Sequence, residues 1–379
     1  MDRLNPDLFA ISDRVKEGYY SDAYFNRMKT ILKGENLNPV VMYQVFQRQH
    51  AVLCGIDEAI AILKQGCDDP SQLKIKALRE GDLISPKEVV MTVETPVQNI
   101  CHLETTWLGV LKRPTAIASN VKKLVEAANG KPLLFFAARF DHYKMQSIDG
   151  YAALKGGASG VSSDANAWWQ GEKGIGTMPH ALIAAFGGDT VKASLAFDKH
   201  MPDNINRIPL VDFDNDCIGT SIAVVDTFRE QAYLKEVPNG NPQDSINLPA
   251  SKFIGTGNGK IYGVRFDTSG NMRDRSVTPT NRELSLGVCP DLVCKARHEF
   301  DFQGWHDLKI SVSGGFNVKR IQEYEAIGVP VDIYCVGSNV YRDMTDYDFT
   351  ADIVRVDGKP LSKIGRWENK NDRLEEVKI

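Results

Sequence analysis

From residue 132 onward the chain repeats one unit: a short apolar run of strand character, a polar turn with glycine nearby, and a polar segment able to form a helix. The apolar runs fall at 132–138, 207–211, 260–266, 308–312 and 331–336. Alternation of this kind implies a parallel sheet, because parallel neighbours need a crossover between them. The run Leu133-Leu134-Phe135-Phe136-Ala137-Ala138 is apolar without alternation, as expected of a strand covered on both faces. An α/β fold with a closed or nearly closed βα barrel follows, with its functional groups where the strands end.

The rest of the chain has a different rhythm. Residues up to about 65 read as helical: 19–32 has near-helical apolar spacing before Gly34, and 51–63 repeats it before Gly66. Alternation takes over at Leu73-Lys74-Ile75-Lys76-Ala77-Leu78 and, in part, at Val89-Val90-Met91-Thr92-Val93-Glu94, with the turn Glu80-Gly81-Asp82 between them. A long helical stretch, 97–129, is punctuated by Pro114 and capped at Asn129-Gly130. Near the C-terminus, Asp357-Gly358 separates two further runs and signals a hairpin that returns to the N-terminal sheet. Residues 237–249, rich in Pro, Asn and Gly, read as a mobile surface loop. These readings divide the chain into an N-terminal α/β domain (1–115), a βα-barrel domain (116–342) and a C-terminal return hairpin (343–379) packed on the first domain.

Composition excludes several classes. A formal net charge of −4 gives no general attraction to nucleic acid. No apolar run approaches bilayer-spanning length, and the N-terminus has no signal-peptide core, so a cytoplasmic location away from membranes is expected. The seven cysteines are odd in number and scattered, which argues against a disulfide framework. Cys289 and Cys294 near His298 lack a second pair, so no metal site built from protein ligands is expected there.

The strand ends carry the chemistry. Gly174-Ile175-Gly176-Thr177-Met178-Pro179-His180 offers an imidazole. In Val264-Arg265-Phe266-Asp267-Thr268-Ser269-Gly270 the cation and carboxylate are two apart on a strand and point the same way. Ser313-Gly314-Gly315 and Gly337-Ser338 can turn bare N–H groups toward a phosphate, helped by a following helix N-terminus. An ordinary strand-to-helix turn also uses glycine, but two on successive strands favour an anionic sugar phosphate. Asp267 is suited to ribose hydroxyls or to Mg²⁺ carried by a pyrophosphate, while the plainer alternative for Arg265 and Asp267 is a salt bridge at a barrel rim.

The ordered set resembles nicotinate phosphoribosyltransferase, in the class that also holds the nicotinamide and quinolinate enzymes. It comprises Ser21-Asp22-Ala23-Tyr24-Phe25, Leu103-Glu104-Thr105, Thr115-Ala116-Ile117-Ala118-Ser119, Phe136-Ala137-Ala138-Arg139, the Thr177–His180 and Arg265–Asp267 segments, Leu210-Val211-Asp212, and the two glycine turns. The resemblance implies an irregular seven-stranded βα barrel with an N-terminal α/β domain completed by the C-terminal segment. It implies transfer of phosphoribosyl from phosphoribosyl pyrophosphate, with Mg²⁺, to nicotinate, giving nicotinate mononucleotide and pyrophosphate in NAD biosynthesis. ATP coupling and a homodimer with shared sites go with it.

Within that frame His180, Arg265 and Asp267 are the catalytic candidates, His180 being the histidine that relatives phosphorylate. Tyr24 from a partner subunit, Phe136, Arg139, Thr177 and Asp212 are the substrate-binding candidates. Phe136 and Tyr24 can sandwich a flat ring and Arg139 can pair with its carboxylate; Asp212 can orient Arg139, His180 or a metal. Ser313, Gly314, Gly315, Gly337 and Ser338 are the phosphate binders. Arg273, Arg275, Lys359, Lys363 and Arg366 are further candidates for closing over pyrophosphate. Ala137 and Phe140 stand where relatives often have a glycine and a second arginine. Three other readings remain open: nicotinamide or another heteroaromatic as acceptor, a non-catalytic sugar-phosphate-binding relative, and an unrelated barrel aldolase or isomerase.

Overall fold

The structure, a computed structural model, describes residues 3–279 and 285–379. The chain opens with α1 (Ala23–Gly34), β1 (Val40–Phe46), β2 (Ala51–Val52) and α2 (Ile56–Gly66). Then come β3 (Lys74–Ala77), β4 (Leu83–Ile84), β5 (Val89–Pro96) and the long helix α3 (Glu104–Ala127). The second part runs β6 (Leu133–Phe135), α4 (Gln146–Lys155), β7 (Gly160–Val161), α5 (Asp164–Ala167), α6 (His180–Ala185), α7 (Thr190–His200) and α8 (Cys217–Glu236). It continues through β8 (Gly263–Phe266), α9 (Pro290–Phe302), β9 (Lys309–Val312), α10 (Val318–Ala326) and β10 (Ile333–Val336). The chain closes with β11 (Thr350–Val356), β12 (Lys359–Pro360) and β13 (Glu375–Glu376).

Two larger sheets organise these elements, and β2 pairs with β4 in a separate two-stranded sheet. The first has the order β12-β11-β1-β5-β3-β13, and its named pairings are antiparallel. The Asp357-Gly358 hairpin lies along β1, where Val41 faces Val356 and Phe46 faces Thr350. The second sheet, β7-β6-β10-β9-β8, is parallel throughout. Helix α3 serves both layers. Trp107, Leu111 and Ala116 pack into the core of the first sheet, and Ile117, Ala118, Val121 and Leu124 pack into the core of the second.

Pro114 sits inside α3 without ending it. A proline removes the hydrogen bond to the carbonyl four residues back, here that of Val110. Gly55 fits against that freed group: it has φ +92, and a Cβ there would stand 2.2 Å from Val110 O.

Several expectations need correction. The first 65 residues are not simply helical, since Val40–Phe46 and Ala51–Val52 are strands and Val40–Phe46 lies inside the larger sheet. The helix expected over 97–129 begins only at Glu104, after two short 3₁₀ turns. The run 207–211 makes a single parallel bridge, Leu210 to Arg265, because Pro209 lacks the N–H a full ladder needs. The 237–249 segment is mostly exposed, as expected of a surface loop, but contains a 3₁₀ helix, Pro242–Asn247, that packs on α8 and buries Ser245.

The barrel is likewise less regular than expected. The five-stranded parallel sheet gains one irregular segment at each margin: Ile175 N–H donates to Val161 O (2.7 Å), and Arg265 N–H donates to Pro209 O (2.8 Å). Among the described residues no backbone ladder joins these margins. Instead Met178 and Leu210 pack together in a small apolar cluster with Ile183 and Ala193. The sheet is therefore not closed by hydrogen bonds.

Candidate active site

The C-terminal ends of the parallel strands surround a cavity of about 670 Å³. Its wall includes Phe136 and Arg139 after β6, Thr177 and His180 at the start of α6, Arg265 and Asp267 at the end of β8, Ser313, Gly314 and Gly315 after β9, and Gly337 and Ser338 after β10. Residues separated by up to 203 positions, Phe136 to Asn339, thus face one space.

Arg265 organises the centre. Its Nε donates to Ser313 Oγ (2.9 Å), Nη1 to Thr177 Oγ1 (3.1 Å) and Nη2 to Asp267 Oδ2 (3.4 Å). The Ser313 hydroxyl in turn donates a hydrogen bond to Asp267 Oδ1 at 2.6 Å. The planar fork thereby ties the ends of β8 and β9 to the irregular segment that carries Thr177, a geometry that a lysine does not reproduce. The same guanidinium lies 5.1 Å from the Phe136 ring centroid.

His180 begins α6, and its Nε2 lies 3.0 and 3.1 Å from the two oxygens of Asp212. An ionised carboxylate only accepts, so Nε2 carries the proton. Burial pushes the Asp212 carboxyl above its ordinary range, and the neighbouring His180 works against that rise. Asp212 itself does not line the cavity; it acts from behind His180.

The two glycine turns are held from outside the cavity. Arg320 donates to Gly314 O (2.7 Å) and to Val288 O (2.6 Å) and lies over the Phe316 ring. Gly314 and Gly315 have φ of +93 and +79, a region open to glycine. Among the described residues their N–H groups make no hydrogen bond. Helix α10 starts at Val318 and is capped by Asn317. Asn339 donates to Phe316 O (2.8 Å), joining the turn after β9 to the turn after β10.

Tyr24 lies elsewhere. It is 59% exposed on α1, with its hydroxyl donating to Asp22, and it does not reach this chain's cavity. Asp22 in turn accepts from Thr105 Oγ1 (3.0 Å), so two motifs far apart in sequence meet at that surface. Arg273, Arg275, Lys359, Lys363 and Arg366 also lie outside the cavity. Arg273 donates to Ser285, and Arg366 pairs with Asp352. Cys289 is buried, Cys294 is exposed, and both are free thiols.

Sequence reasoning gave no site role to Ser162, Cys335 and Asn339, and noted Phe140 only as a departure from relatives; all four line the cavity. Asn339 directly follows Gly337-Ser338, and that adjacency was an available signal. Burial pushes the Cys335 thiol up to about 11, opposed in part by Arg265. The 138–171 segment supplies Ala138, Arg139, Phe140 and Ser162 to the wall. Phe140 stands over Gly337, where a Cβ would come within 2.6 Å of its Cε2.

Residues 22–115 match the N-terminal domain of quinolinate phosphoribosyl transferase. A nicotinate phosphoribosyltransferase of Mycobacterium tuberculosis is 24% identical over 380 residues, covering 91% of this chain and 74% of that protein. The Bacillus subtilis nicotinate phosphoribosyltransferase is 25% identical over 273 residues, and the match spans 72% of this chain but only 46% of that protein. Among solved structures, a nicotinate-nucleotide pyrophosphorylase from Pyrococcus furiosus superposes with a TM-score of 0.73 at 29% identity, covering 97% of this chain and 84% of that one. Human nicotinic acid phosphoribosyltransferase shares the fold, with a TM-score of 0.56 at 17% identity over 90% of this chain and 75% of its own. In sequence and in fold, then, the chain is similar to the nicotinate and quinolinate phosphoribosyltransferases.

Proposed function

We propose that the chain transfers the phosphoribosyl group of phosphoribosyl pyrophosphate to nicotinate. The pyridine nitrogen bonds to C1′ as the bond from C1′ to the pyrophosphate oxygen breaks, giving nicotinate mononucleotide and pyrophosphate. The carrying observation is the convergence of Arg265, Asp267, His180 and both glycine turns on one cavity that also holds Phe136 and Arg139.

The nitrogen lone pair is free at neutral pH, so the step needs charge stabilisation and alignment rather than a strong base. The N–H groups of Gly314 and Gly315, with Ser338, hold the 5′-phosphate. Asp267 faces the electron-poor sugar carbon, while Arg265, Thr177 and His180 hold ribose and pyrophosphate oxygens. Arg139 pairs with the acceptor carboxylate and Phe136 supports its ring. Asp212 keeps His180 in one tautomer.

Mg²⁺ fits this donor set, since it takes one or two carboxylates plus substrate phosphates and retains water. Asp267, on the cavity wall, would hold it, and the ion would neutralise charge on departing pyrophosphate. ATP coupling belongs to the same proposal: His180 Nδ1 makes no hydrogen bond among the described residues and would be the phosphorylated atom. A homodimer is also part of the proposal, with the partner's α1 bringing the exposed Tyr24 to the acceptor. The irregular seven-segment barrel, read as five strands and two marginal segments, is the fold on which it rests.

The test supplies phosphoribosyl pyrophosphate and Mg²⁺ with nicotinate, nicotinamide or quinolinate in turn, with and without ATP, and follows pyrophosphate and nucleotide by mass spectrometry. Nicotinate mononucleotide is the expected product. Turnover of nicotinamide alone, or tight donor binding with no turnover of any acceptor, would overturn the proposal.

A further inference from the structure

We infer that Asp149 is a positioning residue which, with Arg113 and Tyr341, fixes the acceptor-side turn of the cavity against its phosphate-side turn. The inference rests on the phosphoribosyl-transfer reading above. Asp149 lies on α4 and is 2% exposed. Arg113 of α3 grips it with two parallel bonds, Nε to Oδ1 and Nη2 to Oδ2, both at 2.8 Å. The same Nη2 pairs with Asp141, the residue after Phe140. The Tyr341 hydroxyl donates to Asp149 Oδ2 at 2.9 Å, and Ala137 O lies 3.4 Å from that hydroxyl.

The consequence follows from where these groups sit in the chain. Ala137 and Asp141 bracket the Ala138-Arg139-Phe140 turn, which carries the proposed acceptor cation. Tyr341 ends the short 3₁₀ helix Ser338–Tyr341, whose first residue is on the phosphate side. One buried carboxylate therefore stands behind both turns, and a bidentate Arg–carboxylate pair fixes direction as well as distance. None of Arg113, Asp149 and Tyr341 lines the main cavity; Arg113 and Tyr341 line a neighbouring one of about 450 Å³ that shares Phe140 with it. Two carboxylates face a single guanidinium here, so the tyrosine hydroxyl supplies part of the compensation Asp149 needs. The two turns hold acceptor and donor, so loosening either one removes preorganisation from the binding of its substrate, which is read in KM.

Tyr341→Phe is the sparing test, because it deletes one hydroxyl and keeps a ring that packs 6.5 Å from Phe135. The expected result is a native melting temperature within a few degrees, KM for both substrates raised roughly tenfold, and kcat within about threefold. In the double variant Tyr341→Phe/Arg139→Lys, the change in acceptor KM should be smaller than the product of the single changes. Asp149→Asn should show the same split more strongly, and if it fails to fold, Tyr341→Phe decides. Unchanged KM values in a folded Tyr341→Phe, a fall in kcat alone, or independent multiplication with Arg139→Lys would each overturn the inference. Should the parent protein turn over no acceptor, the transfer reading fails instead. Calorimetric donor affinity then still tests Asp149, with a rise in Kd expected in Tyr341→Phe and an unchanged Kd refuting the role.

Discussion

Asp212 holds His180 Nε2 with both of its oxygens, at 3.0 and 3.1 Å, and so leaves Nδ1 as the ring nitrogen free of protein partners among the described residues. Burial penalises the ionised form of Asp212. The folded pKa is raised, so the penalty is present above that pKa and is relieved as pH falls through it. Asp212→Asn removes the charge but retains an oxygen acceptor. Turnover should drop roughly 10- to 100-fold while thermal stability at neutral pH is held or improved. Parallel kinetics and melting curves check this, and a large loss of stability with turnover intact would refute it.

Arg265→Lys keeps a positive charge but loses the fork that joins Ser313, Thr177 and Asp267. Turnover is expected to fall by roughly 100-fold or more, as when a preorganised donor is removed from a developing charge. Single-turnover measurements with saturating substrates would show whether the loss lies in chemistry; parent-like rates would dismiss the role.

Gly337→Ala places a methyl group 2.6 Å from Phe140 Cε2 and 3.1 Å from Phe136 O. Phe140 must swing away, disturbing the Arg139 guanidinium that lies 5.4 Å from its ring centroid. A rise in acceptor KM of roughly tenfold, with smaller change in donor KM, is the expected signature. Equal effects on both substrates would point to general loosening instead.

Arg207 is 1% exposed and surrounded by the carbonyls of Asp198, Met201, Pro202 and Ile205, with the Asp198 carboxylate on Nε. Arg207→Ala should destabilise the protein by about 3–5 kcal/mol, since it strands a carboxylate and several carbonyls. Chemical denaturation measures this; a loss under about 1 kcal/mol would contradict it.

Stability should also decline as pH rises from about 5 to about 7.5. Burial, reinforced by Glu80, pushes the Glu58 carboxyl up to about 7, and burial with Asp352 nearby does the same to Glu104. Glu80 is raised as well, by burial and Asp57. Each carboxyl keeps its proton in the fold after the unfolded chain has lost it, so stability falls with pH across that window. His102 opposes them: burial and Lys29 lower it to about 4, so the penalty it places on the fold is relieved as pH rises from about 4 to about 6.5. Glu58→Gln should stabilise the protein at pH 7.5 by about 1–2 kcal/mol and have little effect at pH 5. Melting temperatures across pH check the sign.

The parts of the molecule legible in sequence were those set by local chemistry. The parallel strands could be read because both faces are covered, leaving unbroken apolar runs such as that ending at Phe136. The strand-end motifs could be read because glycine and paired polar residues leave a local signature. Val40–Phe46 was missed because its apolar run does not alternate and lies among helical patterns; only its partners at β5 and β11 identify it as an interior strand. Gly160–Val161 is two residues long and carries no period at all. The Asp149 centre was out of reach for another reason: its members lie 36 and 192 residues apart, and none has a neighbour that marks it.

The pairing order of the first sheet has a consequence for synthesis. Its flanks, β11 with β12 on one side and β13 on the other, come from the last thirty residues of the chain. While a ribosome is still translating the parallel sheet, the outer edges of β1 and β3 present unsatisfied N–H and C=O groups. The N-terminal layer is thus among the last parts of the molecule to be completed, and a nascent or truncated chain would display two adhesive strand margins to its neighbours.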